Sequence, residues 1–382
     1  MMLTEKEKAI IKETVPVLQD KGTEITSFFY KRMFNEHPEL KNMFNQTNQK
    51  RGLQSTALAQ SVLAAALNIE DLTRILPVVK EIAYKHCALQ VPPAGYDIVG
   101  ENLIAAIEHV LSLENDNPIV QTWTKAYGEI ANVFIAVEKE IYEKMAWSGF
   151  KPFEITKIEQ VTDNIKLFTV TSTEIDLSQF LPGQYITVDV ESEKLPYRAK
   201  RHYSIVEGGK SELSFAVKRD VTEENIGEVS TILHDEFKVG DKIDLSAPVG
   251  EFTLNNASKP QLFIGSGIGV TPLVPMFKHI VEAQGDAQFI QNTDDIEQIP
   301  FQNMLSEIAA TQPNVSYIIH DKNKNGYIDN SYLKQYISNE TEIYVCGGTE
   351  FLKSIIGVLK ELDVPTERVH FESFIPKLSV GI

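Results

Sequence analysis

The run Gln261-Leu262-Phe263-Ile264-Gly265-Ser266-Gly267-Ile268-Gly269-Val270-Thr271-Pro272 sets a short apolar strand directly against a glycine turn and a helix start. Glycines there let the backbone approach a pyrophosphate, and the N-terminus of the following helix favours negative charge. A plain glycine turn between strand and helix satisfies the same pattern, so the run alone leaves both readings open. Further apolar strands are predicted at about 287–291, 315–320 and 342–346, alternating with helical stretches. That order predicts a parallel sheet with helices on its faces. Cys346-Gly347-Gly348 closes the last buried strand, where a nicotinamide can rest.

Upstream of this unit the periodicity is two. Tyr185-Ile186-Thr187-Val188-Asp189-Val190 and Leu213-Ser214-Phe215-Ala216-Val217 alternate like half-buried strands, with turns at Pro182-Gly183 and Gly208-Gly209, and predict a compact β-barrel. Arg201-His202-Tyr203-Ser204 places a cation, an aromatic ring and a hydroxyl close together. Such a set can bind a flavin's phosphate, stack on its ring and hydrogen-bond its N5 edge. Gly227-Glu228-Val229-Ser230 is a candidate helix start for the flavin pyrophosphate. Trp147-Ser148-Gly149-Phe150-Lys151-Pro152 has the composition of a linker.

Before that linker the chain reads as helix after helix. Thr4-x-x-Glu7 fits a capping box. Val99, Leu103, Ile107, Val110 and Leu111 follow helical spacing, as do Trp123, Tyr127, Ile130, Phe134, Val137 and Ile141. Pro92-Pro93 separates these helices from the one bearing His86, because proline lacks the N–H of a helix interior. His86 is flanked by Ile82, Ala83 and Leu89, with Tyr30 and Phe44 earlier in the chain. A haem iron needs a neutral imidazole ligand, apolar walls and often a distal hydrogen-bond donor, and this constellation contains all three. A histidine and aromatic residues at such intervals also serve as ordinary core.

The 382 residues are 43% apolar, enough for two or three domains to bury cores of their own. A formal charge of −17 argues against a duplex nucleic-acid partner or an anionic membrane surface, since both need clustered cations. The charged N-terminus lacks the apolar run of a signal peptide, and no stretch has the ~20 apolar residues of a membrane span. The expected compartment is therefore cytoplasmic. Cys87 and Cys346, the two cysteines, lack metal-ligand spacing, so any metal is expected with a cofactor or with other ligands. After the second strand of the α/β unit comes Thr293-Asp294-Asp295. Carboxylates there can accept from a ribose 2′-hydroxyl and repel a 2′-phosphate, which predicts NADH over NADPH, with NADPH still possible.

With R-x-Y-S, G-x-x-S, G-x-G-x-T-P and C-G in this order, residues 151 to 382 resemble the ferredoxin-NADP reductase superfamily. The full chain resembles the bacterial flavohaemoglobins end to end. The resemblance implies a multidomain fold: an all-α globin domain over 1–148, a six-stranded antiparallel β-barrel for FAD over 151–256, and an α/β parallel-sheet NAD(P)H domain over 257–382. It implies haem b held by His86, with Tyr96 and Glu138 as the proximal pair and Tyr30 as the distal donor. Phe44, Gln54 and Leu58 match distal-pocket positions, while Lys85 and Glu372 match residues that tune the haem and flavin surroundings. Tyr185, Arg201, His202, Tyr203, Ser204 and Phe374 are expected at FAD, with Gly227, Val229, Ser230 and Thr231 at its pyrophosphate. Gly267, Ile268, Gly269, Val270, Thr271, Pro272, Cys346 and Gly347 are expected at NAD(P)H. The implied activity is nitric oxide dioxygenation, in which NO and O2 become nitrate and NADH reduces the haem through FAD.

Other readings stay open on the residues alone. An NAD(P)H-dependent flavohaem reductase or oxidase acting on ferric complexes, hydroperoxides or O2 would use the same electron path. A gas sensor, or a haem-free helical module on a diaphorase, fits the domain order as well. Without the family, Glu138 reads as a surface carboxylate, Tyr96 as core, and Lys85 and Glu372 as solvated charges. His202 reads as a flavin-proximal side chain without proton chemistry, and Cys87 as a small buried residue. The run Ser61-Val62-Leu63-Ala64-Ala65-Ala66-Leu67 fits a roomy distal pocket or an amphipathic core helix. Two positions depart from the family pattern: Ser266 within the glycine motif, and Ile375 in place of a glycine in the C-terminal E-x-F-G-P. No obligate protein partner is expected; the expected partners are the small molecules NO and O2.

Overall fold

The computed structural model describes residues 3–50, 52–221 and 226–374. They form two compact units. The first is the helical region up to Gly149 together with the segment Asp189–Arg201; the second holds Phe150–Val188 and the chain from His202 onward.

Seven helices build the first unit: α1 Glu5–Glu13, α2 Val15–Glu36, α3 Gln46–Lys50, α4 Leu53–Leu67, α5 Leu76–Leu89, α6 Gly95–Leu111 and α7 Pro118–Tyr142. Each boundary has a local cause. The Thr4 backbone N–H donates to Glu7 Oε2 at 2.8 Å while the Glu7 N–H donates back to Thr4 Oγ1 at 3.3 Å, the expected capping box. Pro92-Pro93 falls between α5 and α6 as expected. Asn117 caps α7 by accepting from the Ile119 N–H at 2.9 Å, with Pro118 in the first turn. Ile11, Phe29, Met33 and Ile107 are completely or almost completely buried in the core these helices share. Burial of each such side chain contributes about 1.5–3 kcal/mol. Trp123 Nε1 donates to Thr14 Oγ1 at 3.2 Å, tying α7 to the end of α1. The run Ser61 to Leu67 lies in α4, where Ala65 and Ala66 are buried and Leu67 is exposed.

After the helices the chain forms strands β1 Lys151–Thr162, β2 Ile165–Thr171, β3 Tyr185–Val190, β4 Ala199–Gly208, β5 Glu212–Lys218 and β6 Lys242–Leu245, with helix α8 Glu228–Asp235 between the last two; β3 from Asp189 and β4 up to Arg201 fall in the first unit and the rest in the second. The strands close into a barrel in the order β1-β2-β5-β4-β3-β6. Alternation in β5 predicted one wet face, yet all of Leu213 to Val217 is buried. The outward residues are covered: Ala216 joins Val206 and Leu167 in a core cluster that continues into the α/β layer. Ser214 is satisfied by a 2.9 Å hydrogen bond with the Thr169 hydroxyl. Gly183 turns at φ +101°, and a Cβ there would lie 2.1 Å from the Phe252 carbonyl oxygen.

The α/β layer runs β7 Gln261–Ser266, α9 Leu273–Glu282, β8 Ala287–Thr293, α10 Gln302–Ala309, β9 Val315–Asp321, α11 Lys322–Asn325, α12 Asn330–Lys334, β10 Glu342–Cys346, α13 Thr349–Glu361 and β11 Val369–Glu372. The sheet is parallel, in the order β11-β10-β7-β8-β9. Successive residues feed opposite faces: Phe263, Phe289 and Tyr344 pack towards α9 and α10, while Leu262, Ile264, Ile290 and Val345 pack towards α13. The chain steps outward from β7 to β9 and then returns to the other side of β7. This reversal opens a crevice at the carboxyl ends of β7 and β10. The four predicted strands are present; β11, only four residues long, carried no readable pattern.

Candidate functional site

In the helical unit, α5, α6 and α7 bring His86, Tyr96 and Glu138 together. His86 Nδ1 lies 2.7 Å from Glu138 Oε1 and 3.0 Å from the Tyr96 hydroxyl oxygen. The Tyr96 hydroxyl donates its single proton to the same carboxylate oxygen at 2.5 Å. Nδ1 must therefore carry a hydrogen, which leaves Nε2 with its lone pair free for a metal. Glu138 is almost wholly buried and the His86 side chain is about one-third exposed, 3% against 32%. Burial first, and then the Glu138 carboxylate, push the Tyr96 hydroxyl well above its ordinary pKa, so it stays a donor. Gly100 makes room for Tyr127, whose hydroxyl donates to the Tyr96 carbonyl at 2.6 Å. Phe134, not among the expected site residues, lies 5.9 Å from the His86 ring and 6.1 Å from Tyr96, centroid to centroid. Cys87 is fully buried; its thiol donates to the Glu138 carbonyl at 3.6 Å and is pushed up to about 12 by burial and by that carboxylate. It is an inert packing residue.

Tyr30 and Phe44 meet edge to face at 5.8 Å, and Phe34 completes the aromatic wall at 5.3 Å from Phe44. The Tyr30 hydroxyl has no hydrogen-bond partner among the described residues, and burial raises its pKa well above the ordinary value. Gln54 Oε1 is buried and unpartnered among them, with Leu58 one turn further along α4. Thr26 donates to the Ser55 carbonyl at 2.8 Å and pins α4 to α2. A free imidazole lone pair, apolar walls and two polar groups lacking protein partners fit a haem. Lys85 pairs with Glu81 on its own helix at 3.2 Å.

The barrel carries the residues expected at FAD. Arg201 Nη1 donates to the Lys200 carbonyl at 2.8 Å. His202 Nδ1 lies 2.8 Å from Thr187 Oγ1, and its ring is 4.9 Å from that of Tyr185. Tyr203 stacks 5.7 Å from Phe215, and Ser204 is buried. Gly227 precedes α8, where a Cβ would fall 2.8 Å from both Asp220 Cβ and Ser230 Oγ. Ser230 Oγ accepts from the Asp220 N–H at 3.1 Å and donates to the Gly227 carbonyl at 3.3 Å, and Val229 is buried. The Ser230 side chain thus holds the loop, and the Val229 side chain faces the core. The buried Thr231 hydroxyl has no partner among the described residues, an orphan that fits a phosphate oxygen beside the uncapped start of α8.

A cleft of about 630 Å3 lies at the sheet's switch point, lined among others by Gly267, Ile268, Gly269, Asp294, Gly347 and Phe374. Gly267 adopts φ +55°, and a Cβ on Gly269 would sit 2.5 Å from the Cys346 carbonyl oxygen. The two motifs read separately in the sequence are thus one packed surface. Val270 is buried, Pro272 immediately precedes α9, and the Thr271 hydroxyl donates to the Ile268 carbonyl at 2.8 Å and holds the turn. Cys346 is fully buried; desolvation, and then the Glu372 carboxylate, push its thiol well up, so it packs rather than reacts. Glu372 ends β11 in register with Cys346, and Phe374 is half exposed at the cleft. The Asp295 carboxylate accepts from the Glu297 N–H at 3.0 Å, whereas the exposed Asp294 carboxylate makes no hydrogen bond among the described residues. Asp163 and Gln298 exchange two hydrogen bonds, 2.8 and 3.1 Å, at the cleft's mouth. Nothing in the sequence signalled that pair, since its members lie far apart in the chain. Ile375 lies outside the described residues.

Comparison with known proteins covers the whole chain. Residues 27–134 match the globin model, 152–254 the oxidoreductase FAD-binding domain and 263–356 the oxidoreductase NAD-binding domain. The flavohemoprotein of Oceanobacillus iheyensis is 38% identical over 98% of this chain and 97% of its own length. That of Bacillus subtilis is 39% identical over 100% and 99%. The chain belongs to the flavohemoprotein family. The crystal structure of flavohemoglobin from Malassezia yamatoensis with bound FAD and heme superposes with a TM-score of 0.87, covering 98% of this chain and 100% of that one at 22% identity. As a flavohemoprotein the chain is an NAD(P)H-dependent oxidoreductase whose cofactors are haem, FAD and a nicotinamide dinucleotide. Among the described residues, no helix is long and apolar enough to cross a membrane.

Proposed function

We propose that this flavohemoprotein is a nitric oxide dioxygenase. Two NO and two O2 become two nitrate ions while one NADH is oxidised to NAD+ and one proton is released. When bound, the cofactors supply hydride acceptance, single-electron release and oxygen activation. The chain's own residues bind, orient and exclude. The observation that carries the reading is Tyr30: its side chain is buried, and its hydroxyl keeps its proton and makes no hydrogen bond among the described residues. A donor in that state is kept for a substrate oxygen. Glu138 and Tyr96 orient His86 and keep Nδ1 protonated, so Nε2 stays a ligand, and the carboxylate makes the imidazole a stronger electron donor. Phe44 and Leu58 supply apolar wall that excludes water, and Gln54 offers a second polar group.

The flavin role falls to Arg201 for phosphate, Tyr203 and Tyr185 for the ring, Ser204 for its polar edge, and Thr231 with the first amides of α8 for the pyrophosphate. Gly267 to Pro272 and Cys346-Gly347 form the floor for the nicotinamide dinucleotide. Asp294 favours NADH, because its free carboxylate can accept from a ribose 2′-hydroxyl and repels a 2′-phosphate. Comparing NADH oxidation under O2 alone with oxidation after adding NO tests the reading. NO-stimulated turnover with nitrate formed mole for mole supports dioxygenation; NO-indifferent turnover points to a flavohaem reductase or oxidase.

A further inference from the structure

Asn42 bonds the segment that leads into the Arg201–Ser204 motif. It ends a 3-10 turn, Pro38–Asn42, two residues before Phe44, whose N–H donates to the Leu40 carbonyl at 3.2 Å. The segment between β3 and β4, Asp189–Arg201, belongs to this same unit. From it, the Arg198 N–H donates to Asn42 Oδ1 at 2.8 Å, and Lys200 Nζ donates to the Asn42 carbonyl at 2.9 Å. The next residue after Lys200 is Arg201, whose guanidinium donates back to the Lys200 carbonyl at 2.8 Å. A short bonded path therefore runs from Phe44, through Asn42 and Lys200, to Arg201.

The ion pair at its centre is costly. Lys200 and Asp189 side chains are 9% and 8% exposed, with Nζ 3.2 Å from Oδ2, and Arg198 Nε reaches the same oxygen at 3.1 Å. Charges this far from water lose hydration that mutual attraction only partly restores, and a well-packed apolar trio of similar volume would hold a hairpin at least as well. What an apolar trio cannot do is fix direction: an ammonium pinned by a carboxylate points its remaining protons along defined lines. Here one of those lines ends on the Asn42 carbonyl. The outermost member, Glu191, meets Arg198 at the surface with 78% of its side chain exposed and adds little.

We propose that Lys200, oriented by Asp189, and Asn42 are positioning residues for electron passage from flavin to haem. They hold the segment that opens the Arg201–Ser204 motif against the turn that carries Phe44. The proposal rests on the flavin role of Arg201 and the haem role of Phe44 given above, and not on which acceptor takes the electrons. When bound, FAD would supply hydride acceptance from NADH and then single-electron release towards the haem. The clamp affects only the second transfer.

The test uses the full-length, cofactor-replete chain and the variants Lys200→Met, Asn42→Ala and the double variant. Asn42→Ala removes only the bond from the Arg198 amide, at a partly exposed site, and so keeps the test alive if Lys200→Met folds poorly. The first readout ignores catalysis: amide hydrogen exchange of peptides covering 38–44 and 196–201. Both peptides are expected to exchange faster in each variant, and the double variant to be no faster than the worse single one. The second is an anaerobic stopped-flow trace with NADH and no NO, in which flavin bleaching should stay within about twofold while haem reduction slows about tenfold or more. Faster exchange with unchanged haem reduction, or flavin and haem reduction slowing together, overturns the proposal. Because NO is absent, failure of the dioxygenase reading would leave these traces unaltered.

Discussion

Gly269 and the Cys346 carbonyl are packed so closely that a Cβ on the glycine would stand 2.5 Å from the carbonyl oxygen and 2.6 Å from Gly347 Cα. Both opposing atoms are backbone in a fully buried strand end, so neither can yield cheaply. Gly269→Ala is expected to prise the glycine turn from the end of β10, destabilising the unit by about 1–3 kcal/mol. NADH affinity, measured by anaerobic titration of flavin reduction, should fall about tenfold. Haem and FAD content should stay at the parent level; a variant with unaltered NADH affinity would show that the packed surface is not the dinucleotide floor.

Glu138→Gln keeps shape and one acceptor but removes the buried charge opposite His86 Nδ1. Electron donation through the imidazole should weaken, raising the haem reduction potential and lowering the iron–histidine stretching frequency in resonance Raman spectra. Loss of a partner of this kind costs about ten- to a hundredfold in activity. An unchanged stretching frequency would remove Glu138 from the proximal role.

Tyr30→Phe deletes one oxygen that makes no bond within the described protein, so the melting temperature should hold. Oxygen dissociation, followed after flash photolysis or by displacement with CO, should accelerate about tenfold or more, as expected for loss of a hydrogen bond to a charged acceptor. NO consumption should fall with it.

Asp294→Asn removes the free carboxylate at the end of β8 while leaving the Thr293–Asp295 turn, with its 2.8 Å hydrogen bond, intact. The ratio of kcat/KM for NADPH to that for NADH should rise about tenfold, since the like-charge repulsion is gone. The same ratio in both proteins would place the ribose elsewhere.

His234 lies buried on α8 with Nε2 2.8 Å from the Val217 carbonyl, and burial holds its pKa below the ordinary imidazole value. His320 is shifted in the same direction by the same cause. Above the ordinary value, about 6.5, neither folded nor unfolded chain holds these protons and nothing is lost. As pH falls below it, the unfolded chain takes up protons that the folded sites refuse, so stability declines until the folded pKa is reached. Thermal release of flavin fluorescence should therefore come at lower temperature at pH 5.5 than at 7.5, and His234→Gln should show a smaller difference. An equal difference in the variant would assign the loss to other groups.

The local grammar of the fold was readable. A threonine three residues before a glutamate starts α1, a proline pair separates α5 from α6, and the glycine-rich turn after β7 sits where the apolar run stops. These patterns act over one turn of chain, within reach of a propensity or a cap. The candidate site was readable mainly through the order of its motifs. Spacing alone would have left Glu138 a surface carboxylate and Tyr96 core, yet Glu138 is buried against His86. Phe134, Thr187 and the Asp163–Gln298 pair gave no signal, because what makes each part of a site is a neighbour contributed by a different element.

By itself, the sequence determined the helical character of the region before the linker, the strands β3, β5, β7, β8, β9 and β10, and the order of a helical region, a barrel and a parallel sheet. Capping, proline, glycine and apolar period all operate between residues a few positions apart. The tertiary structure alone decided that β5 is buried on both faces and that β11 completes the sheet beside β10. It also decided that Asp294 rather than Asp295 keeps a free carboxylate, and that Lys200 reaches the Asn42 carbonyl. Those outcomes depend on which surfaces meet after the chain has folded back on itself, and a distant partner that satisfies a charge or covers a face leaves no mark in the residues beside it.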